Sequence, residues 1–273
     1  MITTARRAGS MTRYFANLVL DRFTRGEGAP PAHTYLGLLT SLPDNNDQAA
    51  EVDAPEYSRQ PVSFTKADGG STSNAALVEF PKVKSPWGTV VGQGVYDAFT
   101  GGHLLIGSVQ MADGRPWPYI PLPDDRMALE AGAIAFSVGA KSRTMPYFEN
   151  IIIDHMLRGE AYTPRRLYLG LLTSMPNTRG PAPEASSYGY SRRPASFRRA
   201  VGGHTTNSEV ITWPTAVSPW GVLPGMGLFD ARESGHLMCC SSFVDEEGNP
   251  DPIRINVGSY AELAADEFDM SLV

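Results

Sequence analysis

Two segments of the chain carry apolar residues at the three-to-four-residue spacing of a helix face. Their apolar positions are Phe15, Leu18, Val19 and Phe23 in the first segment and Phe148, Ile151, Ile152 and Met156 in the second. Gly26 and Gly159 follow where a helix needs a left-handed cap residue. The spacing predicts two amphipathic helices, with Asp21 and Asp154 on the polar side. Each helix is expected to pack one face on its own domain or on a neighbour.

Outside these segments the apolar period falls to two. The stretches that show it are short, rich in β-branched and aromatic residues, and bounded by Gly, Pro or Asn. In the first half they cover residues 34–41, 60–65, 75–80, 90–98, 103–110 and 133–138. Residues 97–103 and 230–236 have the composition of tight hairpin loops. The pattern predicts a mainly β fold, with about six to eight short strands per half in an antiparallel, jelly-roll-like β-sandwich.

The two halves are copies of one another. The seven residues from Tyr35, Tyr-Leu-Gly-Leu-Leu-Thr-Ser, recur without change from Tyr168, 133 positions later. Other motifs recur at the same offset: Tyr57-Ser58-Arg59 as Tyr190-Ser191-Arg192, Gly69-Gly70 as Gly202-Gly203, Ser85-Pro86-Trp87-Gly88 as Ser218-Pro219-Trp220-Gly221, and Gly102-His103-Leu104 as Gly235-His236-Leu237. Because the register holds across most of each half, the two copies should share one fold and one strand order. The Tyr-Leu-Gly-Leu-Leu strands should be core or common contacts.

This register divides the chain into an N-terminal extension, residues 1–10, and two β-sandwich repeats, residues 11–143 and 144–273. The short polar stretch 141–144, just before the second helix, marks the boundary. The ends of the repeats align only after a one-residue shift, which pairs residues 133–138 with 267–272. The copies differ most at these C-terminal ends and in the loops after Pro43 and Pro176. The two divergent loops should face different partners.

Composition narrows the classes of function. The chain has 23 Lys+Arg against 29 Asp+Glu and a formal charge of −6. Binding to nucleic acid or to an anionic membrane needs clustered positive charge, so neither partner is expected. Cys239 and Cys240 are adjacent, which disfavours an intrachain disulfide, and the histidines supply no cluster with zinc-ligand spacing. We expect two small apolar residues on a strand, in a protein synthesised in a reducing cytoplasm.

The N-terminal segment superficially resembles a signal peptide, because Arg6 and Arg7 precede the apolar stretch 14–23. Asp21 and Arg22 interrupt that stretch, no small-residue cleavage site follows, and a copy of it occurs in mid-chain. A structural helix is the better interpretation. No uninterrupted apolar run approaches the roughly 20 residues that a membrane-spanning helix requires.

No motif of a known enzyme class is present: there is no nucleophile elbow, phosphate loop, His-Glu-x-x-His or dinucleotide fingerprint. The best polar pair is Asp97 with His103, repeated as Asp230 with His236. A hairpin could bring each pair together, but an acid–base or metal site needs a third group that is not visible. The alternative is that each aspartate caps its hairpin loop through backbone N–H groups. We expect no catalytic residue, no cofactor and no bound metal.

Three further features have a functional and a structural interpretation. One loop contains five acidic residues within 13 positions: Asp44, Asp47, Glu51, Asp53 and Glu56. Its spacing does not match the known calcium loop and its copy keeps only Glu184, which favours a solvated loop over a calcium site. Arg59 and Arg192 are expected to pair with acidic groups or to orient a neighbouring loop. Trp87 and Trp220 fit buried turn anchors better than carbohydrate-stacking platforms.

The order of these motifs resembles a family of small tailed-bacteriophage virion proteins, of the kinds labelled tail-fibre-like, decoration or head–tail structural proteins. The ordered set is Tyr-Leu-Gly-Leu-Leu-Thr-Ser-x-Pro, Gly-Tyr-Ser-Arg, Gly-Gly-x-Thr-x-Asn, Phe-Pro or Trp-Pro, Trp-Gly-x-Val, Phe-Asp-Ala and Gly-His-Leu. The resemblance runs from Tyr14 and Tyr147 nearly to the end of each repeat. The chain departs from the usual single unit by being a tandem pair.

The resemblance implies a non-enzymatic, oligomeric virion structural protein, made in the bacterial host cytoplasm and attached to capsid, neck or collar, or tail. Its partners would be other virion proteins, bound through edge strands and helix faces. If a single unit forms rings, the tandem chain fills two quasi-equivalent positions. The alternative is a receptor- or glycan-binding module of a phage tail fibre, marked by exposed aromatic residues on loops. A polysaccharide hydrolase is disfavoured, because the two repeats share no carboxylate pair.

Overall fold

The computed structural model describes residues 10–44, 47–109, 111–112, 115–116, 118–138, 143–176 and 183–273. This part of the chain is mainly β, with two helices, α1 (Arg13–Arg25) and α2 (Pro146–Arg158). The strands of the first repeat are β1 (Ser10–Met11), β2 (Tyr35–Leu39), β3 (Gln60–Pro61), β4 (Ser71–Ser73), β5 (Val78–Glu79), β6 (Gly92–Tyr96), β7 (Leu104–Val109), β8 (Met111–Ala112), β9 (Arg115–Pro116), β10 (Ala128–Leu129) and β11 (Ala135–Ser137). Those of the second are β12 (Leu167–Leu172), β13 (Arg193–Ala195), β14 (His204–Thr206), β15 (Ile211–Thr212), β16 (Gly221–Leu223), β17 (Gly225–Phe229), β18 (Leu237–Ser242), β19 (Ile253–Ile255), β20 (Glu262–Leu263) and β21 (Asp269–Ser271). The predicted N-terminal extension, apart from Ser10, and residues 141–142 of the predicted boundary lie outside the described residues.

Each repeat is built on one antiparallel main sheet, and the strand order is the same in both. The order is β1-β7-β6-β2-β3 in the first repeat and β18-β17-β12-β13 in the second. In the second repeat Thr144 bridges to Cys239 of β18, at the position that β1 holds in the first. The central strands pair in equivalent register, β2 with β6 and β12 with β17. The predictions of a mainly β fold and of a common strand order are confirmed.

Short two-stranded ladders complete each repeat. They pair β4 with β11 and β5 with β10 in the first repeat, and β14 with β21 and β15 with β20 in the second. Phe136 lies opposite Thr72, and Met270 lies opposite Thr205. Thr205 stands 133 positions after Thr72, whereas Met270 stands 134 positions after Phe136, so the predicted one-residue shift is confirmed.

The strands are shorter and more numerous than the sequence pattern predicts. Residues 60–65 contain only the two-residue strand β3, and residues 75–80 contain only β5. Extended chain beyond these strands pairs through isolated bridges, such as the one between Phe64 and Asn74. The described part of each repeat therefore has one continuous main sheet and several short ladders.

The repeated Tyr-Leu-Gly-Leu-Leu strands are central in their sheets and lie in the core. Leu36, Leu38 and Leu39 of β2 are fully buried. Their equivalents in β12, Leu169, Leu171 and Leu172, are also fully buried. The expectation that these strands form the core is confirmed.

The predicted helices are present and end where expected. Gly26 and Gly159 adopt left-handed conformations with φ of 72° and 69°, and each donates its N–H to a carbonyl of the last turn. The apolar faces of both helices belong to one core that is continuous with both repeats. Phe23 of α1 meets Phe148 of α2 edge to face, with ring centroids 5.2 Å apart. The helices thus lie between the two repeats.

Asp21 and Asp154 lie on the polar side of their helices, but this side contacts the other repeat. Asp21 Oδ1 accepts the N–H of Ala200, and Asp154 Oδ1 accepts the N–H of Ala67. The helical pattern identified the apolar face correctly, but a packed backbone N–H binds a carboxylate as readily as water does.

Cys239 and Cys240 are buried on β18 as free thiols, which confirms their predicted place on a strand. Burial raises the pKa of the Cys239 thiol far above its ordinary value. Neither of the two described helices has the length and apolar character needed to cross a membrane.

Candidate functional site

A largely buried polar cluster lies beside the main sheet of the first repeat, and it joins Glu51, Tyr57 and Arg59. Arg59 Nη2 donates to Glu51 Oε2 at 2.8 Å, and Arg59 Nε donates to both carboxylate oxygens at 3.1 Å. The Tyr57 hydroxyl donates to Glu51 Oε1 at 2.8 Å and accepts the N–H of Leu38 at 2.7 Å. Burial raises the pKa of Tyr57 far above its ordinary value, so this hydroxyl stays protonated.

The cluster also fixes the hairpin loop between β6 and β7. Arg59 Nη1 donates to the carbonyls of Ala98 and Gly101 at 2.7 and 2.6 Å. Its guanidinium carbon lies 3.4 Å from the ring centre of Tyr96, and burial raises the pKa of Tyr96 to about 12. The prediction that Arg59 pairs with an acidic group and orients a loop is confirmed.

The second repeat reproduces this arrangement bond for bond. The equivalent residues are Glu184, Tyr190 and Arg192. Arg192 Nη2 donates to Glu184 Oε2 at 2.7 Å, and Nη1 donates to the carbonyls of Ala231 and Ser234. The guanidinium carbon lies 3.5 Å from the ring centre of Phe229. We call the two sets of three residues the Glu–Tyr–Arg clusters.

The clusters explain the glycine in the middle of the Tyr-Leu-Gly-Leu-Leu motif. A Cβ on Gly37 would lie 2.5 Å from Glu51 Oε1 and 2.9 Å from the Tyr96 ring. A Cβ on Gly170 would meet Glu184 Oε1 at the same distance. All three contacts are shorter than packed atoms allow, so only glycine leaves room for the carboxylate.

The Asp–His pairs come together as predicted. Asp97 Oδ1 accepts the N–H of His103 at 2.6 Å, and Oδ2 lies 3.1 Å from His103 Nδ1. The Tyr14 ring stacks on His103 with centroids 3.9 Å apart. Asp230 Oδ1 accepts the N–H of His236 at 2.6 Å in the second repeat. The prediction that these aspartates cap hairpin loops through backbone N–H groups is confirmed.

The second aspartate has more partners than the first. The Asp230 side chain is 3% exposed, against 19% for Asp97. Arg165 Nη1 and the Tyr147 hydroxyl both donate to Asp230 Oδ2, at 3.0 and 3.2 Å. Burial alone would raise the pKa of Asp230, but the bonds from His236 and the charge of Arg165 hold it below its ordinary value.

These polar groups form no larger constellation that would indicate metal binding. Within the described residues, no three His, Cys, Asp or Glu side chains lie close enough together to hold a metal ion.

A hollow of about 280 Å³ opens beside the first Glu–Tyr–Arg cluster, between Tyr14 and Tyr96. The charged groups that line it are engaged: Glu51 binds Arg59, and Asp47 accepts the N–H of Arg13.

The prediction of a solvated acidic loop is wrong for Glu51 and for Glu56. Glu56 Oε1 accepts the backbone N–H groups of Lys84 and Ser85 and the indole N–H of Trp87, at 2.8 to 2.9 Å. These donors hold the pKa of Glu56 far below its ordinary value. Two carboxylates of the loop, those of Glu51 and Glu56, bind particular donors of the fold. One feature of the sequence pointed to this: Glu184 is the acid that the second copy retains.

Trp87 and Trp220 are each 3% exposed, so the prediction of buried turn anchors is confirmed. Trp87 Nε1 donates to Glu56 at 2.9 Å. The second repeat has Gly189 where the first has Glu56, and Trp220 Nε1 is buried without a partner among the described residues.

Fold and polar clusters together define a tandem-repeat β protein in which the repeated charged residues hold the loops of the scaffold. The family model described as Podophage GP4 fiber I protein gp80 matches residues 10–113 and 144–261, once in each repeat. The chain belongs to this family and is a fibre-like bacteriophage structural protein, which confirms the resemblance found in the sequence. None of the curated proteins compared with the chain matches it.

Proposed function

We propose that the chain is a non-enzymatic virion component whose two repeats, residues 11–143 and 144–273, contact different neighbouring proteins of the capsid, neck or tail. The observation that carries this proposal is the match of one phage fibre family to both repeats. The buried charged groups of both repeats support it, because their hydrogen bonds go to the loops of the scaffold.

The two repeats present different surfaces. Four apolar residues of the second repeat are 56 to 84% exposed, and we call them the second-repeat patch: Tyr188, Val217, Val257 and Tyr260. The aligned positions of the first repeat hold Pro55, Lys84, Pro123 and Arg126. The first repeat instead exposes Ile120 and Leu122, each 61% accessible.

Backbone hydrogen bonds hold the second-repeat patch together. Gly258 donates to the carbonyl of Ala216, and Ala216 donates to the carbonyl of Ser259. Val217 in turn lies beside Gly189, the neighbour of Tyr188. Grouped apolar side chains on a protein surface favour protein contact. The first repeat has no apolar patch at the aligned positions and exposes Ile120 and Leu122 elsewhere, which supports different neighbours for the two repeats.

Particle incorporation tests this assignment. A Tyr188→Ser/Val217→Ser variant should be lost from purified virions, while Val210→Ser, at a residue that is 57% exposed outside the patch, should be retained. Quantitative mass spectrometry of particles from complemented infections measures both, and near-UV circular dichroism checks the fold. Equal incorporation of the two variants would argue against the patch, and absence of the wild-type chain from particles would argue against the virion assignment.

A receptor- or glycan-binding fibre module is the second candidate, because exposed aromatic side chains occur on loops. Tyr188 is 84% exposed and Phe99, in the β6–β7 hairpin loop, is 49% exposed. Labelled protein should not bind host cells if the structural role is correct. Saturable binding that is lost after periodate oxidation of the cell surface would favour the glycan module.

The absence of catalysis is tested directly with host polysaccharides. Purified protein is incubated with capsule or cell-wall polysaccharide, and new reducing ends are assayed. We expect no release above a heat-denatured control, whereas release above that control would identify a hydrolase.

A further inference from the structure

The two helices of the chain are exchanged between the repeats. Each begins on the main sheet of its own repeat: Thr12 donates its N–H to Leu105, and Met145 donates to Met238, at 2.9 and 2.8 Å. Each then runs across to the other repeat and binds its backbone there.

Three side chains of α1 bind the second repeat. The bonds are Gly203 N–H to Asn17 Oδ1 at 2.7 Å, Ala200 N–H to Asp21 Oδ1 at 2.8 Å, and Arg25 Nη1 to the carbonyl of Phe197 at 2.9 Å. The three side chains are spaced four residues apart, which places them on one face of the helix. This face contacts backbone groups, so the contact depends on the shape of the Gly-Gly turn and its approach.

Helix α2 makes the same three bonds to the first repeat. They are Gly70 N–H to Asn150 Oδ1 at 2.8 Å, Ala67 N–H to Asp154 Oδ1 at 2.9 Å, and Arg158 Nη1 to the carbonyl of Phe64 at 2.7 Å. Each helix residue and each residue that it binds stands 133 positions from its equivalent in the other set of bonds. Arg22 and His155, themselves equivalent, meet each other, with Arg22 Nε donating to His155 Nε2 at 3.1 Å. Contact between equivalent residues is the mark of a two-fold axis.

We infer that the helix face Asn-x-x-x-Asp-x-x-x-Arg is a recognition element whose partner is a second copy of the repeat. The two repeats form an isologous pair that holds together without the peptide link between them. Apolar packing supplies the affinity, since Phe15, Phe23, Phe148 and Ile152 are fully buried in the shared core. The six polar bonds fix which surface each helix takes. In the intact chain each helix face is already bound by the other repeat of the same chain. The pair of repeats is therefore the unit of assembly.

The test cuts the link after folding. A protease recognition sequence is inserted between residues 141 and 142 of the full chain, and the folded protein is cleaved and analysed by size exclusion with light scattering at low micromolar concentration. We expect the two fragments to co-elute with the mass of the uncut chain, about 29.5 kDa before the insertion. Separation into two species of half that mass would overturn the inference.

Substitutions then test the recognition element itself. Asp21→Ala with Asp154→Ala should weaken association of the cleaved fragments by roughly ten- to a hundredfold for each lost charge-assisted bond. Glu233→Ala, at an exposed acid of the hairpin loop, is the matched control and should leave association unchanged. The uncut double variant should retain its near-UV spectrum, because covalent linkage keeps the repeats at high effective concentration. If the cleaved double variant associates as tightly as the control, the polar face is not the recognition element.

Discussion

The two repeats anchor the same tryptophan turn differently. In the first, Glu56 binds the indole N–H of Trp87 and two backbone N–H groups. In the second, Gly189 replaces that glutamate and the Trp220 indole has no partner among the described residues. The Glu–Tyr–Arg clusters, by contrast, are the same in both repeats. The difference indicates that the turn needs a buried ring, while the hairpin loop needs its arginine and carboxylate together.

Substitutions in the Glu–Tyr–Arg clusters should cause the largest losses of stability, and the losses should be equal in the two repeats. Arg59→Ala and Arg192→Ala each leave a carboxylate without its cation and two loop carbonyls without their donor, which should cost about 3 to 5 kcal/mol of unfolding free energy. Lysine should not rescue either site, because it lacks the planar fork that binds Glu51 and the loop at once. Urea unfolding measures the loss, with the exposed Arg232→Ala as control. A large loss in one repeat alone would contradict the equivalence.

Substitution of the hairpin aspartates should reduce stability by different amounts in the two repeats. Asp97→Ala removes the bonds to His103 and to the Tyr14 hydroxyl and should cost about 1 kcal/mol, the usual value of a side-chain bond. Asp230→Ala also leaves Arg165, which has no equivalent in the first repeat, without its acceptor, and should cost about 2 kcal/mol. The same urea titrations compare them. Equal costs would show that the additional partner of Asp230, Arg165, contributes nothing.

The tryptophan turns offer a smaller and sharper test. Phenylalanine keeps an aromatic ring and removes the indole N–H, so Trp87→Phe loses a bond to Glu56 while Trp220→Phe removes an unpaired donor. The loss of stability should be greater for Trp87→Phe by about 1 kcal/mol. Paired thermal and urea unfolding measures the difference. A larger loss for Trp220→Phe would show that its N–H has a partner in solution.

Repetition explains why so much of the fold could be predicted from one sequence. The central strands β2 and β12 were predictable because alternation and burial are local properties of a few residues. The strands β4 and β14 were not, because Ser71–Ser73 and His204–Thr206 are mostly polar and pair with strands more than 60 residues away. Pairing across such a distance leaves no local pattern.

The polar clusters were predictable in part, for a physical reason. Glu51 and Arg59 stand eight residues apart, as do Glu184 and Arg192, and this repeated spacing could have identified the ion pair. The exchange of helices could not be found in this way. A helical pattern shows which face is apolar, but Asn17 and Asp21 have the composition of a solvated face whichever repeat covers them.

The smallest expected effect concerns the place where the two helices themselves differ. α2 carries Glu149 where α1 carries Ala16, and Glu149 is buried, with its carboxylate accepting the Thr144 hydroxyl at 2.7 Å. Burial raises the pKa of Glu149, although the bond from Thr144 opposes the shift. The folded protein therefore binds this proton more tightly than the unfolded chain does, and the contribution of Glu149 to stability falls as the pH rises above the ordinary pKa of glutamate.

Glu149→Gln removes this ionisation and keeps an oxygen for Thr144. The variant should unfold about 1 to 3 °C higher than the wild type at pH 7, and the difference should vanish below about pH 4, where both side chains are neutral. Glu209→Gln, at an exposed position of the same repeat, should show no such pH dependence. Thermal unfolding at both pH values measures the two differences. A variant that is less stable at pH 7 would show that the charged form of Glu149 stabilises the contact between α2 and the Gly-Gly turn of the first repeat.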